Sequence, residues 1–531
     1  MPPAAKQLAA DALAQARAGR LAEAEATLGR LLQLEPRNAR AWAMQGSLRL
    51  DLDRATDALA AFDRALALDP RAAAVHVNRG AALGRLGRLE EALAGLDAAL
   101  ALDPSLALAH ANRASLLNRL ERWEEAVAAA RRATSLQPAL AAAWTHLGAG
   151  LYDLGRLDEA LAAFETALAR SAPQERAKRL CDLGMALAAQ QRFEPALAAF
   201  DEAAALRPDD ALPRYRRAHA RLVRRDFAGG WDDYEWRWRA ALFTDHASGR
   251  ITPELRRRLT IAPTPEALTG RVLAIAEQGI GDEIMFASIL PDLASQAKVT
   301  AVVDPRLVRL MSHSMPQVEI LPGPSLAGLD FDAFDHVVAL GSLAHAFRRS
   351  GDAFPGTPFL APRAEVVAAW ADRLGPRRAP LRIGLSWRGG VRRTLASERS
   401  MPLAALTPLL VRPDCEFVSL QYGEAADEIA ALNAGLERPL AAFPGADTHD
   451  FEDLAGLVAN LDLVVTVQTA LAHLTGALGK RGFVMIPERA EWRYTAAGED
   501  IPWYGSLRLF RRGAGEAWGP VVDRIAAALA P

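Results

Sequence analysis

Cysteine is nearly missing from this sequence: Cys181 and Cys415 are the only two in 531 residues. So few exclude a disulfide framework or a cysteine-based structural zinc cluster, and they fit a reducing compartment. A charge excess of either sign is missing too. The 62 basic residues face 64 acidic ones, so no global field draws the chain to nucleic acid or to an anionic membrane. No apolar run reaches the roughly 20 residues of a membrane span, and the segment "MPPAAKQLAADALAQARAGR" lacks the apolar core and cleavage region of a secretory signal. The expectation is a cytoplasmic protein with no transmembrane segment, no nucleic-acid partner and no metal site. Complete phosphate fingerprints are also lacking. Gly279 and Gly281 are followed by Ile284 where a dinucleotide motif needs a third glycine, and no GxxxxGK[ST] run occurs.

What is present is a period. Pro36, Pro70, Pro104 and Pro138 stand 34 residues apart, and Pro173 and Pro208 follow at 35-residue steps. Each closes a segment of helical periodicity, because proline ends the second helix of a unit. Small residues recur at Gly46, Gly80, Ala114, Gly148 and Gly184 in the first helices and at Ala58, Ala92, Ala126, Ala160 and Ala196 in the second. Trp42, Phe62, Phe164 and Phe200 fill the gaps between neighbours. This pattern resembles the tetratricopeptide repeat, and six units over about residues 5 to 210 are expected to stack into a superhelix with a continuous core.

Along that array Asn78 and Asn112 share a place in consecutive first helices, with His146 and Asp182 at the corresponding later places. Repeated amides suit the backbone of a bound chain, although a solvated helix face explains them equally well. His76 and His110 read as packing or groove residues rather than metal ligands. "RRDFAGGWDDYEWRWRA", residues 224 to 240, breaks the period and reads as an aromatic cap joining the array to another domain. An irregular connector is expected over residues 241 to 268.

The second half changes to short strands alternating with helices. "RVLAIA", "KVTAVV", "VEIL" and "HVVAL" form one series, and "LRIGLSW", "EFVSL", "LDLVVTV" and "GFVMI" a second. Two α/β units with a cleft beyond their strand ends follow from this alternation. The domain expectation is repeats over 1 to 210, cap and connector over 211 to 268, and α/β units over 269 to 375 and 380 to 531.

Several residues then become candidates for chemistry. Gly279 and Gly281 allow close approach of a ligand or a tight turn. Asp282 either caps the following helix or serves as a general base. Thr466, Gln468 and Thr469 precede a helix whose N-H groups suit phosphate, and His473 lies one turn inside it, as a ligand contact or as a satisfied core histidine. Ser386, Arg388, Arg392, Arg393 and Arg399 lie on or beside a basic loop, with Arg399 the preferred anion contact. Glu488 and Trp492 either frame a bound sugar or pack a turn.

"EQGIGDEIMFASILPDL", "IGLSWRGG", "DLVVTVQTALAHLTGALG" and "WRYTAAGEDIPWYGSLRLFRR" together resemble heptosyltransferase-like glycosyltransferases of the GT-B fold, built from two Rossmann-like units. Paired with repeats, the chain looks like bacterial flagellin glycosyltransferases. That resemblance implies a metal-independent, inverting enzyme with no cofactor beyond its donor. It would transfer a nonulosonic acid such as pseudaminic acid from a CMP-linked nucleotide-sugar to Ser or Thr of flagellin. It assigns Asp282 as base and Thr466, Thr469 and His473 to the donor, while Gln468 stands where the family has an acidic residue. The rival readings are an ADP-heptose-type enzyme acting on a glycan or lipid, and a catalytically inactive repeat scaffold.

Overall fold

The computed structural model describes residues 2–240, 243, 251–389, 396–443 and 450–529. Two compact units divide the chain between Pro195 and Ala196, ahead of the expected boundary at residue 210. Arg392 and Arg393 lie outside the described residues.

The first unit is an array of antiparallel helix pairs: α1 (Pro3–Arg17) with α2 (Leu21–Leu34), α3 (Ala39–Asp51) with α4 (Ala55–Leu68), α5 (Ala73–Arg85) with α6 (Leu89–Leu102), α7 (Ala107–Arg119) with α8 (Trp123–Leu136) and α9 (Ala141–Asp153) with α10 (Leu157–Arg170), followed by α11 (Arg176–Ala189). The small positions act as the spacing requires. A Cβ on Gly46 would stand 2.6 Å from the Phe62 ring, and one on Gly148 would stand 2.7 Å from Phe164. Ala58, Ala92, Ala126 and Ala160 are fully buried. Successive first helices, α3, α5, α7, α9 and α11, pack on one another, which sets them on the inner side of the superhelix.

Two repeated devices fix the turns. Within each pair the chain passes through a left-handed residue, at Gly19, Asp53, Gly87, Glu121, Gly155 and Gln191. The next N-H closes on the carbonyl five residues back, as in Arg88 to Leu83 at 3.0 Å and Arg122 to Leu117 at 2.9 Å. This is a helix C-cap that glycine adopts freely and other residues adopt at a cost. Between pairs, a side-chain N-H reaches back six residues to the proline carbonyl: Trp42 to Pro36 (2.9 Å), His76 to Pro70 (3.0 Å), His110 to Pro104 (3.1 Å) and Trp144 to Pro138 (2.9 Å). His76 and His110 are therefore turn clasps, with Nε2 carrying the proton. Arg85 and Arg119 tie successive first helices by donating to the Leu50 and Gly84 carbonyls.

The aromatic segment after residue 224 continues the period instead of breaking it. α12 (Phe193–Leu206) straddles the division, and the second unit then holds α13 (Ala211–Val223) and α14 (Phe227–Tyr234). Their turn repeats the left-handed residue at Arg225 and the closure from Asp226 N-H to the Arg221 carbonyl at 3.0 Å. Gly230 and Tyr234 stand 34 residues beyond Ala196 and Phe200, and they fill the small and bulky positions of a seventh pair. Arg214 clasps the Pro208 carbonyl at 2.7 Å.

Residues of this pair, Ala218, Leu222, Phe227, Trp231 and Tyr234, belong to the core of the α/β region. That region holds two parallel sheets. The first has the order β3-β2-β1-β4, from β1 (Gly270–Ile275), β2 (Ala297–Val303), β3 (Val318–Pro322) and β4 (His336–Ala339). The second has the order β6-β5-β7-β8-β9, from β5 (Leu381–Ser386), β6 (Cys415–Ser419), β7 (Leu463–Val467), β8 (Gly482–Ile486) and β9 (Leu507–Arg511). β9 was not expected, because "SLRLF" alternates on an edge where arginines take the outward positions. The connector expected to be irregular carries a short helix, Pro253–Arg258, whose Leu255 packs with Trp238, Phe243 and Leu273.

Both sheets contribute to one core, which gathers Val338 and Phe286 with Val484, Tyr494 and Trp503. The aromatic segment is pinned to the first sheet by buried charge. Arg237 binds Glu235, Glu277 (3.2 Å) and Ser342 (2.8 Å), all nearly inaccessible to solvent. Burial raises the Glu277 carboxyl above its ordinary range against the pull of Arg237. Among the described residues no helix is long and apolar enough to cross a membrane.

Candidate functional site

Two places gather the residues singled out from the sequence. The first is the end of the two sheets, where helix Ile280–Ala287 after β1 packs on helix Ala470–Ala477 after β7. Gly281 makes that approach possible, since a Cβ there would stand 3.1 Å from the His473 ring and 3.4 Å from Ala470 Cα. Its close contact is thus with protein. Gly279 precedes the helix at φ −72°, a backbone geometry open to any residue. Asp282, in the first turn, is held by the Arg493 guanidinium. Burial pushes its carboxyl above the ordinary range in spite of that pairing.

From Arg493 a line of alternating charge runs outward. Arg493 donates to Glu491 at 2.7 Å, Glu491 accepts from Arg399 at 2.8 Å, and Arg399 also donates to the Gln468 carbonyl at 3.2 Å. The preferred anion contact, Arg399, therefore already has a carboxylate and a carbonyl. Sequence reasoning missed Arg493 and Glu491, although "WR" opens a quoted motif and Glu491 directly precedes it. Nothing in a glutamate and an arginine flanking a tryptophan signals a half-buried pair formed with a residue 211 positions earlier.

At the start of the Ala470 helix the threonine hydroxyls already have protein partners. Thr466 is fully buried, donates to the Val467 carbonyl at 3.0 Å and meets the Thr469 hydroxyl at 3.3 Å. Gly389 lies against the Thr469 methyl, leaving no room for a side chain. Gln468 is 1% exposed, and neither atom of its amide has a partner among the described residues. His473 is clasped between the Tyr504 hydroxyl at 3.2 Å and the Tyr494 hydroxyl at 3.3 Å. Burial, reinforced by Arg493, lowers its pKa to about 3, so it is neutral at pH 7.

The remaining candidates spread outward. Ser386 donates to the Gln421 side chain at 3.2 Å, and Arg388 pairs with Glu428 at 3.2 Å. Both adjoin a cavity of about 770 Å³ lined by Gln421, Tyr422, Glu424 and Asp427. Glu488 accepts the Gly515 N-H at 3.2 Å and so closes a turn. Trp492 packs edge-on against Trp231 with centroids 5.5 Å apart, as part of the shared core.

The second place is the inner face of the repeats. Asn78 donates to the Ser47 hydroxyl at 3.3 Å. Asn112, half-buried at the equivalent place, has no hydrogen-bonded side-chain partner among the described residues. His146 follows, and its pKa is lowered to about 4 by burial, with Arg179 and Lys178 adding to the effect. Asp182 lies 3.7 Å from Arg179. Small residues flank this row at Ser47, Ala81, Ser115 and Ala149.

Models of the tetratricopeptide repeat match residues 10–73, 43–107 and 139–209. The N-terminal region is a tetratricopeptide-repeat superhelix. Protein FlbA of Caulobacter vibrioides is 32% identical over 341 residues, which is 61% of this chain and 56% of FlbA. The chain thus matches a little over half the length of that relative. Among solved structures, MamA is 22% identical over 29% of this chain and 91% of its own, with a TM-score of 0.27. PilW, described as a type IV pilus biogenesis factor, is 23% identical over 40% of this chain and 98% of its own, with a TM-score of 0.37.

These comparisons overturn the heptosyltransferase-like reading. The family models that match are those of the tetratricopeptide repeat and a curated relative is Protein FlbA, so the glycosyltransferase activity, the transfer of a nonulosonic acid to flagellin and the GT-B recognition are corrected. The physical reason is visible at the sheet ends. A general base must reach its proton and a leaving-group site must admit phosphate. In this arrangement Asp282 is tied to Arg493, Arg399 to Glu491, and the Thr469 hydroxyl to that of Thr466.

Proposed function

We propose that the chain is a protein-interaction scaffold, with the inner face of its repeat superhelix receiving an extended segment of a partner polypeptide. The supporting observation is Asn112, whose amide has a donor and an acceptor to spare on a face floored by small residues. Asn78 beside it is held only by a long bond to Ser47. Amides repeated at the helix spacing suit the donors and acceptors of a peptide backbone, which makes recognition tolerant of the partner's side chains. His146 extends the row as a neutral ring, able to donate from one nitrogen and accept at the other. In this reading the α/β unit is a folded partner of the repeats and has no catalytic part.

Peptides selected from a displayed random library on the full chain provide the test. Losing one or two backbone bonds of about 1 kcal/mol each weakens binding by roughly five- to thirtyfold. Asn78→Ala with Asn112→Ala should show that loss in fluorescence anisotropy, whereas Glu165→Ala on exposed α10 should leave Kd unchanged. Equal affinities for all three chains would reject the proposal.

A further inference from the structure

The inner face of the first unit carries charge as well as amides. Arg85 and Arg119 stand seven residues beyond Asn78 and Asn112, two turns along the same side of α5 and α7. The corresponding places on α3 and α9 hold Asp51 and Asp153. The positive stretch is therefore confined to the middle of this row, beside the amide pair.

Elsewhere in the repeats, Arg79, Arg88, Arg113 and Arg122 each pair with a carboxylate at between 2.6 and 2.8 Å. The two inner arginines differ. Arg119 is exposed and donates to the Gly84 carbonyl at 2.7 Å, with no carboxylate partner among the described residues. Arg85 keeps 49% of its side chain exposed, donates to the Leu50 carbonyl and reaches only Asp53, at 3.6 Å, whose own side chain is 95% exposed. Gly84 directly precedes Arg85, so Arg119 is anchored next to the residue that carries the second cation. A bond to a carbonyl occupies one of a guanidinium's five N-H donors and cancels none of its charge. The rest of the fork suits both oxygens of a carboxylate, and the anchoring bond lowers the entropy lost when one arrives.

We propose that the segment received by the repeats is acidic at one point, with an Asp or Glu carboxylate seated on Arg119 and Arg85 adding to the attraction. This rests on the inner face being a peptide groove and adds the partner's charge to that reading. The probe is a displayed random-peptide library selected on the full chain, with the best binder then synthesised carrying a fluorescein label. Selected sequences should share an Asp or Glu at one position. Changing that residue to Asn or Gln should weaken binding roughly five- to tenfold in fluorescence anisotropy. In a chain with Arg85→Gln and Arg119→Gln, which keeps an amide N-H for each carbonyl, the acidic peptide and its amide counterpart should bind equally. Arg119→Gln alone provides the comparison should the double variant lose its helical circular dichroism. Peptides that lose affinity with Asn78→Ala and Asn112→Ala yet share no acid would overturn the proposal and leave the groove standing. So would an acidic preference undiminished by the arginine changes. Peptides indifferent to the asparagine changes would overturn both.

Discussion

Acidification to pH 5 should loosen the second unit through two histidine rings packed among aromatic side chains. His219, stacked beside Trp492 with centroids 6.4 Å apart, and His473, between Tyr494 and Tyr504, both have pKa values lowered to about 3. Burial is the main cause in each. Nearby cations add to it, Arg216 and Arg493 for His219 and Arg493 for His473. In the unfolded chain each returns to an ordinary value of about 6.5. A depressed histidine pKa means that the unfolded state binds the extra proton first, so stability is full above pH 6.5 and falls as the pH descends toward 3. At pH 5 the loss is RT ln(1 + 10^1.5), about 2 kcal/mol per histidine, or about 4 kcal/mol for the pair. Urea unfolding followed by tryptophan fluorescence at pH 7.5 and 5.0 reads this directly. His219→Gln and His473→Gln should each remove about 2 kcal/mol of the pH-dependent loss. A double variant that loses as much stability on acidification as the parent would refute the reasoning.

The repeat turns give two further expectations. Glu121→Gly relieves a left-handed residue at φ 58° and should stabilise the first unit by about 0.5–1 kcal/mol in thermal unfolding, after the entropy cost of glycine. His76→Phe should cost about 0.5–1.5 kcal/mol by removing the clasp on Pro70, whereas His76→Trp should restore it, because Trp42 and Trp144 make the same bond. At the junction, Arg237→Met leaves Glu235 and Glu277 buried without their cation. It should cost about 3–5 kcal/mol by urea unfolding, with part regained in Arg237→Met combined with Glu277→Gln.

The repeats were legible because their constraint is local and periodic. Proline beyond the first turn cannot continue a helix, and glycine is required where a first helix meets the Phe62 or Phe164 ring. The same period was overlooked at its last turn, where four aromatic residues close together suggested a cap. Gly230 and Tyr234, one period beyond Ala196 and Phe200, carried the signal. Strands in the second half were legible from their apolar runs, apart from β9, whose arginine-rich alternation resembles a loop. The sheet ends were not. Residues chosen for binding a ligand, Asp282 and Arg399, are satisfied instead by Arg493 and Glu491, and these pairings join positions 211 and 92 residues apart. A glycine or an acid in a turn looks the same in sequence whether it faces a ligand or another helix. Gly281 against His473 is the clearest case.

The most direct measurement is photocrosslinking from the inner face. A benzoylphenylalanine replacing Ser115 on α7, beside Asn112, is compared with one replacing Glu165 on α10, using the full chain and a library-selected peptide. The account predicts adducts from position 115 alone, lost when Asn78 and Asn112 are changed to alanine. Equal adducts from both positions, or adducts from 115 that survive those changes, would contradict it.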